Sequence, residues 1–177
     1  DGTYWKHTKK GQLDLRKNIK VTKRWQEAGH LFVFATGRPI SMMKLEQKMH
    51  GIVYDYIVGL NGGIIMSREG KILFQQSMDE AVARKIITRI QEEDVLQYAV
   101  TDGICGHYRT TFGLTHKTFY LFAMFKLFLR KYSFTLEQAL NRPVVQISVK
   151  TKSHKQAVAC AKQINEEFGD QVVAFSN

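Results

Sequence analysis

Residues 31 to 39 read Leu31-Phe32-Val33-Phe34-Ala35-Thr36-Gly37-Arg38-Pro39, an apolar run that ends in a polar turn. The successive apolar residues predict a short strand covered on both faces, as strands of a parallel sheet are. The proline suits the first turn of a helix, because its fixed φ matches helical geometry. The stretch therefore predicts a strand, a polar turn and a helix in direct succession.

Helices and strands alternate on both sides of this unit. The sequence predicts a helix over 15–28, a helix that carries Met42, Leu45 and Met49, and a strand over 56–58. Glycines at positions 29 and 51 are placed to end the two helices. The order helix, strand, helix, strand predicts an α/β fold with a parallel sheet and helices on its faces.

After Gly63 the pattern changes to short strands joined by turns. It predicts hairpins over 64–74 and 97–108, and later strands over 144–149 and 172–175. Helices are predicted after the capping residues Asp79 and Ser153. We therefore divide the chain into a partial parallel core, residues 1–65, and an α+β domain with an antiparallel sheet, residues 66–177.

Charge and hydrophobicity limit the partners of the chain. Its 177 residues include 26 basic and 16 acidic ones, a net charge of +10 that favours an anionic partner. The basic residues are scattered and no nucleic-acid-binding motif is present, so we expect no nucleic acid. The most apolar run, 119–129, is shorter than the roughly 20 residues of a membrane helix, so we expect no membrane partner either.

The two cysteines, Cys105 and Cys160, are far apart and form no metal-binding spacing. We expect both thiols to pack in a protein of the reducing cytoplasm.

Three polar motifs follow, or would follow, strands of the parallel sheet: Asp1-Gly2-Thr3, Thr36-Gly37-Arg38 and Asn61-Gly62-Gly63. Ligands of such sheets bind beyond the carboxyl ends of the strands. Glycine N–H groups with hydroxyl, amide and guanidinium donors suit a phosphate group. Taken singly, Thr36 also suits a helix N-cap, Asn61 a left-handed turn and Arg38 a solvated surface charge.

The order and spacing of these motifs resemble the Cof-type branch of the haloacid dehalogenase superfamily. The resemblance is specific over residues 1–65, and over 66–177 it concerns only the pattern of elements. It implies a Rossmann-like core with an α+β cap that selects the substrate. It also implies a Mg²⁺-dependent phosphatase that hydrolyses a small phosphorylated metabolite through an aspartyl-phosphate.

The resemblance assigns roles to individual residues. Asp1 would be the general acid and then the general base, and its backbone carbonyl would bind Mg²⁺. The phosphate would be bound by Gly2, Thr36, Gly37, Asn61 and Gly62. The substrate would be bound by Arg38 and, from the cap, by His107 and Arg109.

The chain also departs from the pattern of the family. The nucleophilic aspartate belongs two residues before Asp1, and neither the phosphate-binding lysine nor the late acidic metal motif is found before Asn177. From this we expect the chain to be incomplete at both ends and inactive as given. The alternative is a non-catalytic relative that acts as a binding or dimerising module. In that alternative, the aromatic helix over 119–130 would form the dimer face. The other interpretation of this helix is that it packs against the sheet of the cap.

Overall fold

A computed structural model describes residue 4 and residues 9–110 and 134–176, without the side chains of 9–13 and 108–110. The chain divides into two compact units, Asp1–Gln75 and Gln76–Asn177. The described helices are α1 (Lys9–Glu27), α2 (Ile40–His50), α3 (Glu80–Glu92), α4 (Leu136–Leu140) and α5 (His154–Phe168). The described strands are β1 (Val33–Ala35), β2 (Tyr56–Gly59), β3 (Ile64–Ser67), β4 (Ile72–Gln75), β5 (Gln97–Thr101), β6 (Gly106–Thr110) and β7 (Gln146–Lys150).

The first unit contains a sheet in the order β1-β2-β3-β4. Strands β1 and β2 are parallel, and the pairs β2/β3 and β3/β4 are antiparallel. The predicted strand, turn and helix over 31–50 are confirmed, and so is the hairpin after Gly63. The domain boundary placed near residue 65 falls within β3, whose partners β2 and β4 both belong to the first unit.

The core of the first unit lies between this sheet and α2. Its most deeply buried side chains are Ile40, Ile52, Tyr54, Ile57, Ile64 and Met66. Helix α2 ends as predicted at Gly51, which has a φ of 67° and donates its N–H to the Gln47 carbonyl at 2.9 Å. The predicted stripe of α2 is wrong in part, because Met49 is exposed and the buried positions include Ile40 and Met43.

Strand β1 is not covered on both faces, contrary to the prediction. Leu31, just before the strand, is 66% exposed, and Val33 is exposed as well. On α1, Leu15 is buried but Val21 and Trp25 are exposed. In the sheet as described, β1 is an edge strand.

The second unit contains an antiparallel sheet in the order β6-β5-β7. One face of this sheet packs against the helices through Val82, Ile86, Ile90, Tyr98, Val100, Ile164 and Phe168. The predicted caps are present: the Asp79 carboxylate accepts from the Ala81 and Val82 N–H groups, and the Ser153 hydroxyl accepts from the Gln156 N–H. The fold is thus α/β, with one partly parallel and one antiparallel sheet.

Two strand predictions in the second unit need correction. The strand predicted to begin at Ile104 begins at Gly106, because the Asp102 carboxylate accepts from the N–H groups of Ile104 and Cys105 and so lengthens the turn. Residues 172–175 form no strand in the structure. Instead the Asn165 amide binds both the N–H and the carbonyl of Ala174, at 2.8 and 2.7 Å, in place of a neighbouring strand.

The predicted aromatic helix over 119–130 lies outside the described residues. Within the described ranges, no helix combines the length and hydrophobicity that a membrane span requires.

Candidate functional site

Two loops meet at the carboxyl ends of the parallel strands β1 and β2. The Thr36 N–H donates to the Val58 carbonyl at 2.9 Å, and the Thr36 carbonyl accepts from the Asn61 N–H at 3.2 Å. The Leu60 N–H donates to the Arg38 carbonyl, also at 3.2 Å. The structure therefore brings the motifs 36–38 and 61–63 together at the edge of the sheet where ligands of open α/β sheets bind.

The second of these loops has a left-handed backbone over consecutive residues. The φ angles are 50° at Leu60, 55° at Asn61 and 102° at Gly62. The interpretation of Asn61 as a left-handed turn residue is therefore correct. Leu60 also adopts this conformation, which is uncommon for a residue other than glycine, asparagine or aspartate and is concentrated at functional sites.

The residue at the start of this loop, Gly59, is closely packed. A Cβ added at Gly59 would lie 3.0 Å from Ile40 Cδ1 and 3.3 Å from the Arg38 carbonyl oxygen. Only glycine allows the two loops and α2 to approach this closely, and Leu60 is itself buried. The loop geometry is thus determined by the core below it rather than by a ligand.

Three hydrogen-bond donors lie on these loops. The Thr36 Oγ1 accepts from the Arg38 N–H at 3.1 Å, which leaves its own hydrogen able to donate. The Gly37 N–H has no hydrogen-bond partner in the part of the chain that the structure describes. The Asn61 side chain is exposed and lies over Gly37, where an added Cβ would be 3.0 Å from Asn61 Oδ1. Such a set of donors suits an oxyanion.

Thr36 does not cap α2, so that alternative is wrong. Pro39 occupies the N-cap position, and no side chain there accepts a hydrogen bond from the helix.

Arg38 is not a solvated surface charge, so that alternative is wrong as well. Its side chain is only 19% exposed, and its Nη1 lies 3.2 Å from Glu46 Oε1 on α2. The other carboxylate oxygen of Glu46 lies 3.4 Å from His50 Nε2. The guanidinium is therefore bound to the neighbouring helix α2.

The two candidate residues from the second unit lie on β6. His107 pairs with Val100 and Arg109 with Tyr98, and both partners belong to the buried face of the sheet. The His107 Nδ1 lies 3.1 Å from the Phe134 carbonyl oxygen, so Nδ1 carries the hydrogen and donates it. The His107 residue is half-buried. The side chain of Arg109 lies outside the described part.

The second unit also contains a polar pair that the sequence did not predict. Arg142 Nε donates to Asp102 Oδ2 at 2.7 Å. The sequence predicted only a hairpin over 97–108 at this place. No local pattern links Asp102 to an arginine that follows 40 positions later.

A family model for haloacid dehalogenase-like hydrolases matches residues 1–177. The chain belongs to the haloacid dehalogenase-like hydrolase family. The resemblance to the haloacid dehalogenase superfamily is thereby confirmed. No curated protein that was compared with the sequence matches it.

Solved structures of haloacid dehalogenase-like proteins have a similar fold. One from Bacteroides thetaiotaomicron has a TM-score of 0.65 and 16% identity, covering 92% of this chain and 60% of that one. A HAD/COF-like hydrolase from Plasmodium vivax has a TM-score of 0.62 and 15% identity, covering 92% and 58%. The HAD subclass IIB sugar phosphatase BT4131 has a TM-score of 0.53 and 14% identity, covering 85% and 55%. The chain thus spans 55% to 60% of the length of these haloacid dehalogenase-like proteins.

The family resemblance implies a Mg²⁺ site, which the described residues can be compared with. They contain no group of three or more histidine, cysteine, aspartate or glutamate side chains that could hold a metal ion. The donors at the sheet edge suit an anion, whereas Mg²⁺ prefers carboxylate oxygens. The described residues therefore do not fit a magnesium site. Asp1 and Gly2, the other predicted site residues, lie outside them.

Proposed function

We propose that the chain carries the phosphate-binding edge of a phosphatase that acts on a small phosphorylated metabolite. The observation that supports this most strongly is the set of donors from Thr36, Gly37 and Asn61 at one edge of the sheet. The net charge of +10 favours an anionic substrate.

In this proposal the phosphoryl oxygens accept hydrogen bonds from the Thr36 hydroxyl and the Gly37 N–H. Asn61 and Gly62 contact the same group from the second loop. Phosphoryl transfer requires mainly positioning and stabilisation of the charge on the phosphoryl oxygens. Donors that are already in place provide this without reorganisation during the reaction. The close packing at Gly59 and the burial of Leu60 support such pre-organisation.

Asp1 and Gly2 complete the proposed site through the family resemblance. The Asp1 carboxyl group donates its proton to the ester oxygen as the phosphorus–oxygen bond breaks and the phosphoryl group passes to an aspartate. The Asp1 carboxylate then accepts a proton from the water that hydrolyses the aspartyl-phosphate. Gly2 donates its N–H to the phosphoryl group. We assign Mg²⁺ as the cofactor on the resemblance alone.

We further propose that the second unit is the cap that selects the substrate. Arg38, His107 and Arg109 are the residues that we assign to substrate binding. Of these, His107 already donates to Phe134 through Nδ1, so it is the Nε2 atom that remains for a substrate.

The experiment measures phosphate release from a panel of phosphomonoesters, with Mg²⁺ and with EDTA. It uses the longest polypeptide that the gene encodes and in which this chain is present. We expect Mg²⁺-dependent release, and we expect Thr36→Ala to lower kcat/KM by roughly 100-fold, as the loss of one oxyanion donor does in other enzymes. Thr36→Ser keeps the hydroxyl and should restore most of the activity.

The matched control is Thr88→Ala on α3, where the hydroxyl only donates to the Arg84 carbonyl. This change should leave kcat/KM unaltered. Absence of phosphate release from every substrate, or equal activity of Thr36→Ala and the wild type, would contradict the proposed function.

A further inference from the structure

The packing of α1 determines which of its sides faces the solvent. Leu15 and Thr22 are buried, and the Thr22 hydroxyl lies 2.9 Å from the Tyr4 hydroxyl. One turn further on, the Gln26 side chain donates to Asp55 Oδ2 at 2.8 Å. Residues four or seven positions apart share one side of a helix, so the packed side of α1 contains Leu15, Thr22 and Gln26.

Basic residues occupy the opposite side of α1. All the basic residues whose side chains are described on this helix are exposed: Arg16, Lys17, Lys20, Lys23 and Arg24. None of them forms an ion pair within the described ranges. Like charges three or four positions apart repel one another and lower the stability of a helix. The folding of the first unit therefore does not explain this basic side.

Exposed apolar side chains border the basic side. Val21 is 64% exposed and lies between Lys17 and Arg24 on the helix surface, since it follows the first by four positions and precedes the second by three. Trp25 comes one turn after Val21 and is 50% exposed. Its Nε1 donates to the carbonyl of Leu31, which is 66% exposed, at 3.1 Å. We define the α1 surface by these residues: Lys17, Lys20, Val21, Arg24, Trp25 and Leu31.

The Trp25 side chain is ordered within this surface. Besides the hydrogen bond to Leu31, the centre of its ring lies 4.2 Å from that of the His30 ring. Tryptophan side chains are enriched at the boundary between lipid headgroups and acyl chains, because they are partly apolar and partly polar. An ordered side chain also loses less entropy on binding than a flexible one does.

The α1 surface fits a membrane that contains anionic lipids. Lysine and arginine are attracted by the negative headgroups, and the neighbouring apolar side chains leave water at the boundary with the acyl chains. A nucleic acid would neutralise the same charges through its phosphates but offers no apolar phase to Val21 and Leu31. The exposed apolar residues therefore favour a lipid surface. Such binding requires no spanning helix, so the length of the apolar run 119–129, from which no membrane partner was expected, does not exclude it.

We propose that the α1 surface binds the protein to membranes that contain anionic lipids. The three basic residues of this surface contact the headgroups, and its three apolar residues lie at the boundary with the acyl chains. This binding involves residues of the first unit alone and is independent of the proposed phosphatase function.

The first test is co-sedimentation of the longest polypeptide that the gene encodes with lipid vesicles. Vesicles of phosphatidylcholine are compared with vesicles in which about one third of the lipid is phosphatidylserine. We expect binding to the anionic vesicles alone, and weaker binding as the salt concentration rises. Lys17→Gln combined with Lys20→Gln should weaken the binding about 30-fold, because each basic residue near the membrane contributes roughly fivefold.

The matched control for this double variant is Lys85→Gln combined with Lys155→Gln. It removes the same charge from exposed positions on α3 and α5 and should leave the binding unaltered. Absence of binding to the anionic vesicles would overturn the proposal. Equal losses in the two double variants would overturn it too, because they would show that the vesicles attract the net charge of the chain rather than the α1 surface.

The second test measures the contribution of the apolar residues. Leu31→Ser should weaken binding to the anionic vesicles about fivefold, because an aliphatic side chain no longer leaves water. Leu73→Ser, at a leucine of β4 that is 50% exposed, is the matched control and should have no effect. Circular dichroism checks that both variants are folded. Unaltered binding of Leu31→Ser would contradict the proposal, because electrostatic attraction alone would then be sufficient.

A third measurement distinguishes the membrane from a nucleic acid and from the enzymatic function. The polypeptide and its variants are tested for binding to single-stranded RNA of mixed sequence. Retention by RNA that requires Lys17 and Lys20 but not Leu31, without binding to vesicles, would assign the α1 surface to nucleic acid and refute the proposal. Phosphate release from a soluble phosphomonoester should be the same in the wild type and in the variant at Lys17 and Lys20. Failure of the proposed phosphatase function would therefore leave the vesicle result unchanged.

Discussion

At the scale of single residues, the backbone at Leu60 and Asn61 is the most unusual feature of the first unit. A left-handed conformation costs an L residue roughly 1–2 kcal/mol, and asparagine tolerates it better than leucine does. Burial of the Leu60 side chain and the hydrogen bonds from Leu60 and Asn61 to the first loop offset this cost. With this left-handed backbone, the Asn61 side-chain amide lies over Gly37.

Substitutions at Asn61 separate this backbone effect from the effect of the amide. Asn61→Gly removes both the strain and the amide, so stability to urea should stay equal or rise by up to about 1 kcal/mol. Asn61→Ala keeps the strain and should lower stability by about 1 kcal/mol. Both variants should bind inorganic phosphate more weakly than the wild type in calorimetry. Wild-type affinity in Asn61→Gly would show that the amide takes no part in the site.

The hydrogen bonds of Asp55 also lead to a testable prediction. Its Oδ2 accepts from Gln26 Nε2 and from the Phe32 N–H, both at 2.8 Å. These two hydrogen bonds, that from Gln26 first, lower the pKa of the Asp55 carboxyl group below its usual value. They connect the end of α1 to the chain that enters β1.

The lowered pKa predicts the direction of the pH dependence. Because the carboxyl group ionises more readily in the folded state, its contribution to stability is present above the ordinary pKa of about 4 and is lost as the pH falls through the folded value. Urea unfolding between pH 6 and roughly pH 3 should therefore show a steeper loss of stability in the wild type than in Asp55→Asn. Equal slopes would contradict this role of Asp55.

The backbone conformation of a residue could be predicted from the sequence where that amino acid has a strong conformational preference of its own. Asn61 and Gly51 were predicted from their tolerance of left-handed dihedrals, and both angles are observed. The left-handed conformation of Leu60 was not predicted, because leucine has no preference for a positive φ. The Asp102–Arg142 pair was not predicted either, because it depends on how distant segments pack.

At the scale of elements, the caps and turns follow the sequence closely. Asp79 begins α3 as predicted. At Ser153 the predicted cap forms, but a full capping box does not, because Gln156 Oε1 accepts from the Lys152 N–H instead of the Ser153 N–H. A complete capping box occurs at Thr135 and Gln138, which have the same spacing in the sequence.

The cap at Asp79 gives a quantitative prediction. Asp79→Ala removes the acceptor for two N–H groups of α3 and should lower the stability of the second unit by about 1 kcal/mol. Asp79→Ser retains an acceptor oxygen and should stay within about 0.5 kcal/mol of the wild type. Urea unfolding followed by circular dichroism measures both variants. An Asp79→Ala variant as stable as the wild type would refute the importance of this cap.

Residues 172–175 show where reasoning from single elements fails. Their run of apolar residues is typical of a strand, but a strand forms only where a partner offers backbone groups. In the structure the Asn165 side chain supplies both the donor and the acceptor for Ala174. The pattern of residues 172–175 cannot predict this competition, because it depends on a side chain of the preceding helix.

At the scale of the whole molecule, the alternation of helices and strands was sufficient to predict the parallel pair, the antiparallel second sheet and the two loops that meet at the sheet edge. Burial was less predictable. The apolar run 31–35 indicated a strand covered on both faces, whereas Leu31 and Val33 are exposed in the described structure. An apolar pattern indicates that a face of a strand or helix can be buried. Which segment buries that face depends on the rest of the fold.

The most direct test of the proposed site is a titration of the chain with inorganic phosphate, followed through its backbone amide resonances. Saturable shifts are expected at Thr36, Gly37, Asn61 and Gly62, and Thr36→Ala and Asn61→Gly should weaken the binding. The amides of the control residues Thr88 and Asp170 should not shift. If the four site amides do not respond, or if both variants bind phosphate as the wild type does, the edge between β1 and β2 is not a phosphate-binding site.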